Sequence, residues 1–230
     1  MFSKEADMST SVLRWMRRNG LIVKTEFVSP WGICDFVGIQ FNPAHVERRL
    51  SLRQKRSVTS ITRAALLLQV PDVEDRRSIS IDRLAKKFSN TIPRECLDRD
   101  IDRLQSDGFL IQTKHGRLQK RNGWMPIQNR IVAVEAKMAR IEEALQQARA
   151  NLGFAEESYV ALPLQVAKRI AANPNPWAAY FGQGIGLIGV TTTRCELLIN
   201  SSKQELSHDP AVRLYCTEKF WSDLAHPKDS

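Results

Sequence analysis

The chain has no apolar run approaching the roughly 20 residues that cross a bilayer, which argues against a membrane-embedded protein. It has no Cys-x-x-Cys pair. Cys34, Cys96, Cys195 and Cys216 stand far apart, a spacing that excludes a zinc ribbon and suggests reduced thiols rather than a disulfide framework. The opening MFSKEADMST lacks a basic region followed by an apolar segment, so no secretory signal is expected and the cytoplasm is the default location. There is no internal repeat and no low-complexity tract. Interleaved aromatics of the kind that stack unpaired bases are absent from the basic middle of the chain, which mildly disfavours an RNA-directed role.

What is present is an ordinary core and an uneven charge. An apolar fraction of 43% in 230 residues is enough for one large domain, or one domain carrying a smaller insertion. Between His45 and Arg130 there are 19 Lys and Arg against 10 Asp and Glu, a surplus equal to the whole chain's net +9. A basic excess confined to one segment fits a polyanion-binding module better than a uniformly basic protein would.

Periodicity and punctuation give the elements. A helix is expected over about Ser3 to Asn19 with Gly20 as its stop. Strands follow at Leu21 to Phe27 and Ile33 to Phe41, separated by the turn Ser29-Pro30-Trp31-Gly32. Arg48 to Ser57 reads as a polar basic connector. Helices are then expected over Thr59 to Gln69, after Ser80 as a cap to Phe88, and from about Ile92 to a stop at Gly108. FLIQTKHGRLQKR reads as a hairpin around His115-Gly116. Three helices and a basic hairpin are winged-helix organisation, a variant of helix-turn-helix. After Asn122-Gly123 come a strand at Ile131 to Ala139, a helix at Arg140 to Leu152 with Gly153 as its stop, a strand at Ser158 to Leu162 and a helix at Gln165 to Ala172. A strand pair at Gly184 to Val190 and Cys195 to Ile199 and a last helix at Asp209 to Leu224 complete the chain.

The strand IVAVEAKMA carries the chemistry. Alternation puts Val132 and Val134 on one face and Ala133, Glu135 and Lys137 on the other, so a carboxylate and an ammonium group project from the edge of an apolar sheet. Desolvating both is costly unless they are paired or hold a metal. With Asp35 on the earlier strand ICDFVGI, two hard oxygen donors and a lysine are what a hydrolytic magnesium site needs. Glu26 reads as a solvent-facing strand residue or a further ligand, and His115 as a turn residue without a chemical role.

Helix, hairpin with Asp35, then Glu135-Ala136-Lys137 followed by a helix and a strand: this arrangement resembles the PD-(D/E)XK nuclease superfamily over roughly 1–42 and 124–199. The resemblance implies a restriction-endonuclease-like α/β fold, a mixed sheet flanked by helices. It implies Asp35 and Glu135 as metal ligands, Lys137 as the catalytic lysine, Glu5 as a further ligand from the first helix and Gln147 as a site residue from the helix after the triplet. Asn151 stands where some members carry Tyr, and Pro30 does not directly precede Asp35.

The expected organisation is therefore 1–44 and 124–230 as a nuclease core, with 45–123 as an inserted winged helix-turn-helix domain. The third inserted helix carries Glu95, Asp98, Asp100 and Asp102, so phosphate contact is expected from its start, Asn90, Thr91 and Arg94, and from Lys114, Arg117, Lys120 and Arg121 of the wing. The expected activity is metal-dependent DNA endonuclease, with Mg²⁺ as cofactor and Mn²⁺ as a substitute, DNA as partner and no membrane association. A homodimer or a protein partner stays open. The alternative is a non-catalytic winged-helix DNA-binding protein whose nuclease-like core serves dimerisation or partner docking.

Overall fold

A computed structural model describes residues 2–121, 126–202 and 209–225, the side chains of the last helix as far as Trp221. The expected domain boundary at 123–124 lies outside these residues. In chain order the elements are a 3-10 turn at Glu5–Met8, α1 (Ser9–Arg18), β1 (Ile22–Ser29), β2 (Gly32–Phe41), α2 (Pro43–Ser51), α3 (Ile61–Gln69), α4 (Ile81–Phe88), α5 (Arg94–Ser106), β3 (Leu110–Gln112) and β4 (Leu118–Lys120). They continue as β5 (Gln128–Ala136), α6 (Ile141–Asn151), β6 (Glu157–Pro163), α7 (Leu164–Ala172), a 3-10 turn at Asn175–Trp177, α8 (Ala178–Gly182), β7 (Ile185–Val190), β8 (Cys195–Ile199) and α9 (Pro210–Ala225).

These elements form two compact units, each made of two stretches of chain. The first comprises 1–40 and 128–209, the second 41–127 and 210–230. The last helix thus belongs with the inserted segment, whereas the sequence expectation assigns all of 124–230 to the core.

The first unit is a mixed six-stranded sheet in the order β1-β2-β5-β6-β7-β8. β1 and β2 are an antiparallel hairpin, β5, β6 and β7 run parallel, and β8 returns antiparallel to β7. Short crossovers through α6 and α7 explain the parallel pairs, because parallel neighbours need a connection long enough to carry the chain back. Met8, Val12 and Met16 of the N-terminal helical segment pack with Val132, Val134 and Ala136 on one side. Ala144, Leu145 and Ala148 of α6 and Ala167 and Ile170 of α7 pack with Val160, Leu162 and Leu187 on the other. Covered on both sides, β5 is buried at every residue from Ile131 to Ala136. It is an interior strand, not the sheet edge that its two charges suggest. Gly38 is needed where α1 approaches β2, since a Cβ there would sit 2.9 Å from both Leu21 Cβ and Met16 Cε. Gly20 ends α1 at φ +75, as expected of a left-handed stop.

The second unit packs α3, α4, α5 and the β3–β4 hairpin around Leu66, Leu67, Leu84, Leu97, Ile101 and Leu118, with Leu214 of α9 in the same cluster. Ser80 caps α4, its side chain accepting from Arg83 N–H. Asp72 and Ile79 each form a single bridge to β4, at Lys120 and Leu118, which gives the hairpin a further partner. The supposed basic connector is in its first part a helix. Asn42 caps α2 by accepting from the N–H groups of Ala44 and His45, and Pro43 occupies the first turn. Arg49 of α2 is 1% exposed. Its guanidinium meets both oxygens of Glu218, gives two further N–H groups to the carbonyls of Gln54 and Arg56, and lies 4.0 Å from the Trp221 ring centre.

Candidate active site

Asp35 and Glu135 lie on neighbouring strands, β2 and β5. Asp35 is half-buried, and its Oδ2 accepts from Ala136 N–H at 2.8 Å, which ties the carboxylate to the end of β5. Lys137, the first residue beyond β5, is 8% exposed and brings Nζ to 3.7 Å from the same oxygen. Its own N–H bonds to Ala161 O on β6, so the backbone stays in register while the ammonium group reaches towards Asp35.

Glu135 is 1% exposed. Asn151 of α6 donates to its Oε1 at 2.7 Å. Its Oε2 is buried and accepts no hydrogen bond from any described residue. An acceptor sealed away with no donor is costly, on the order of 1–3 kcal/mol and more for a charged group. Burial raises the Glu135 carboxyl above its ordinary value; the Asn151 hydrogen bond opposes this, the nearby Asp35 charge adds to it, and Cys34 and Lys137 oppose it. Cys34 lies beside the pair, receives Asn151 Nδ2–H at 3.3 Å, and points its thiol at the carbonyls of Phe36 and Val134. Burial pushes that thiol well up, with the Glu135 charge as the second cause, so it stays protonated.

Asp35 also lines a cavity of about 410 Å³ together with Glu5, Glu26, Ser9 and Thr25. Glu5, expected as a ligand, reaches this cavity while its Oε1 accepts from Met138 N–H at 3.3 Å. Glu26 sits opposite Asp35 in the hairpin with φ +48, a left-handed backbone uncommon outside glycine, and the ladder is interrupted there between Thr25–Phe36 and Phe27–Cys34. Among the described residues no three His, Cys, Asp or Glu side chains converge as a metal cluster.

Gln147 and Asn151 are one helical turn apart on α6. Gln147 Oε1 is buried without a partner, and it is Asn151 that bonds Glu135. The sequence reading gives this helix contact to Gln147 and treats Asn151 as a departure. An i, i+4 pair on the helix facing the strand was the available signal.

The expected phosphate-contacting residues of the second unit are not equivalent. Asn90, Thr91, Lys114 and Arg121 are exposed. Arg94 is exposed but already bound to Asp82 at 2.9 Å and Asp98 at 3.0 Å. Arg117 donates to Ser78 Oγ at 2.8 Å and to Ser78 O at 2.7 Å. Lys120 is a correction. Its side chain is 8% exposed and paired with Asp72 at 3.4 Å, because the Asp72 bridge to β4 folds the loop over it.

No family model matches the chain, and no curated protein matches it. Among solved structures, a protein of unknown function from Silicibacter pomeroyi aligns over 100% of this chain and 96% of that one, at 12% identity and a TM-score of 0.42, a likeness too distant to carry an argument.

Proposed function

We propose that the protein is a metal-dependent DNA endonuclease, its first unit a restriction-endonuclease-like core and the helices and hairpin of its second unit a winged helix-turn-helix that holds DNA. The observation that carries this reading is the Glu135 carboxylate, buried beside Asp35 and Lys137 with one oxygen fixed by Asn151 and the other bare.

The donor chemistry fits Mg²⁺, or Mn²⁺ as a substitute, held by Asp35 and Glu135. Bound there, such an ion supplies charge neutralisation on a phosphate and a more acidic water. Asn151 orients Glu135 so that Oε2 remains available. Ala136 N–H does the same for Asp35, fixing Oδ2 and with it the direction of the carboxylate. Lys137, held by backbone register and by Asp35, is set to steady the attacking water and the charge that develops on the phosphoryl oxygens. Water adds to phosphorus, the bond to the 3′-oxygen breaks, and the products are a 3′-hydroxyl and a 5′-phosphate.

The test is a Mg²⁺-dependent cleavage assay on linear, nicked, branched and single-stranded DNA, with Glu135→Ala and Asp35→Asn beside wild type. Wild-type cleavage lost in both variants is the expected result. Cleavage retained by Glu135→Ala would sink the site. DNA binding without any cleavage by the wild-type chain would favour the non-catalytic alternative.

A further inference from the structure

A cavity of the second unit gathers Arg117 of the expected wing with three cations, Arg77, Arg83 and Lys87, that the helix-turn-helix reading does not assign. This open cavity of about 460 Å³ lies between the end of α3, the 71–79 loop, α4 and the start of β4. Its ionisable lining is Arg77, Arg83, Lys87 and Arg117, four cations and no carboxylate. On α5, by contrast, four acids stand against three cations: Arg94 is paired with Asp82 and Asp98 and Arg103 with Asp107, while Arg99 is flanked in sequence by Asp98 and Asp100.

The local chemistry favours an anion. Arg83 and Lys87 are i, i+4 on α4, where like charges cost a few tenths of a kcal/mol and an opposite pair such as Arg94–Asp98 recovers a similar amount. Leu84 is fully buried on the inner side of α4, which leaves Arg83 and Lys87 exposed towards the cavity. Among the described residues, neither of these two cations nor Arg77 has a carboxylate partner within salt-bridge distance. Two lining groups are positioned. Arg117 is held by its two bonds to Ser78, and Lys87 Nζ by Gln69 Oε1 at 2.8 Å. A guanidinium held by Ser78, an ammonium group held by Gln69 and two further cations without a carboxylate partner suit a phosphate with several acceptor oxygens.

We propose that this cavity holds a backbone phosphate of the bound nucleic acid, with Arg77, Arg83, Lys87 and Arg117 as its ligands, and that it contributes more to DNA affinity than α5, whose acids outnumber its cations. The inference rests on DNA as the partner but not on cleavage. Binding of a fluorescent DNA duplex of about 20 base pairs is followed by anisotropy with the full chain in EDTA, from about 50 to 200 mM salt. Arg83→Gln/Lys87→Gln is compared with Arg94→Gln/Arg99→Gln, each variant first shown to keep the wild-type circular dichroism.

The expected result is a loss of tenfold or more for the α4 pair, with the slope of log K against log salt shallower by about 1–2, since each released phosphate contact is worth about 0.9. The α5 pair is expected to lose less than threefold. Unchanged affinity and slope in the α4 variant, or a larger loss in the α5 variant, overturns the proposal. So does selective binding of inorganic phosphate over sulfate at matched ionic strength in a chain whose DNA affinity ignores the α4 variant, because the cavity then takes a free phosphate ligand. A chain that binds DNA through this cavity yet cleaves nothing keeps the inference and removes the nuclease reading; cleavage with α4-independent binding does the reverse.

Discussion

Glu135 of the first unit and Glu218 of the second, the two most deeply buried glutamates among the described residues, are treated in opposite ways. Glu218 is 1% exposed and saturated: both oxygens meet the Arg49 guanidinium and Oε2 also accepts from Val58 N–H at 2.7 Å. Glu135 is equally buried, yet has only neutral company at its oxygens: the Asn151 amide on Oε1 and the Cys34 thiol close by, with no hydrogen bond to Oε2 from the described residues. A carboxylate that serves structure is buried with its counter-charge and its hydrogen bonds in place, since either partner alone would be strongly unfavourable. A carboxylate left short of partners beside a second acid and a lysine is what the proposed metal site requires.

The comparison can be broken at four places. The largest effect is expected from Asp35→Asn or Glu135→Ala, which should lower Mg²⁺-dependent cleavage by about 10³-fold or more, several kcal/mol of transition-state stabilisation; circular dichroism should show both still folded. Arg49→Ala should instead destabilise the second unit by about 3–5 kcal/mol by stranding the Glu218 charge. Its measure is a denaturant midpoint, and a double variant Arg49→Met/Glu218→Leu should recover much of the loss. An Arg49→Ala midpoint equal to wild type would remove the structural half of the comparison.

Asn151→Ala should weaken Mg²⁺ binding or activity by about 10–100-fold, the usual consequence of releasing a ligand from the group that orients it, while Asn151→Asp shifts the metal dependence rather than the fold. The smallest effect is on stability without metal. Burial raises the Glu135 carboxyl in the folded chain, so the stability it contributes is present at low pH and is lost as pH rises through the folded-state value. Metal-free Glu135→Gln should therefore melt above wild type at about pH 8, the gap closing towards about pH 4. A gap that widens on acidification would contradict the assigned cause.

Local signals were legible where the physics is local. Ser80 as the α4 cap, Gly20 and Gly108 as left-handed stops, and the strand carrying Glu135 all depend on neighbours within a few residues. Arg49 was not legible, because an arginine in RRLSLRQKRS looks solvated until Glu218, 169 residues later, is folded against it. Glu135 looked like a sheet-edge charge for a related reason: strand order is set by non-local pairing, and β5 becomes interior only when β2 and β6 flank it. At the candidate site, Asp35 and the Glu135–Lys137 triplet could be marked from residue type and apolar context. Asn151 is not marked by composition, because its contact with Glu135 depends on the direction of its amide.

The interleaving of the two units has a consequence for how the protein is made. Ala136 and Asp35 join across 101 residues, and the second unit needs α9 before its Leu214 reaches the core shared by α3 and α5. At roughly 5–20 residues per second of synthesis, Asp35 waits about 5–20 s for β5, and neither unit completes its long-range contacts while the chain is short. Such high contact order slows folding. It also means that a chain terminated before Glu135 lacks one of the two acids, so the proposed cutting site comes into being only after residues 45–123, proposed to hold DNA, have been synthesised.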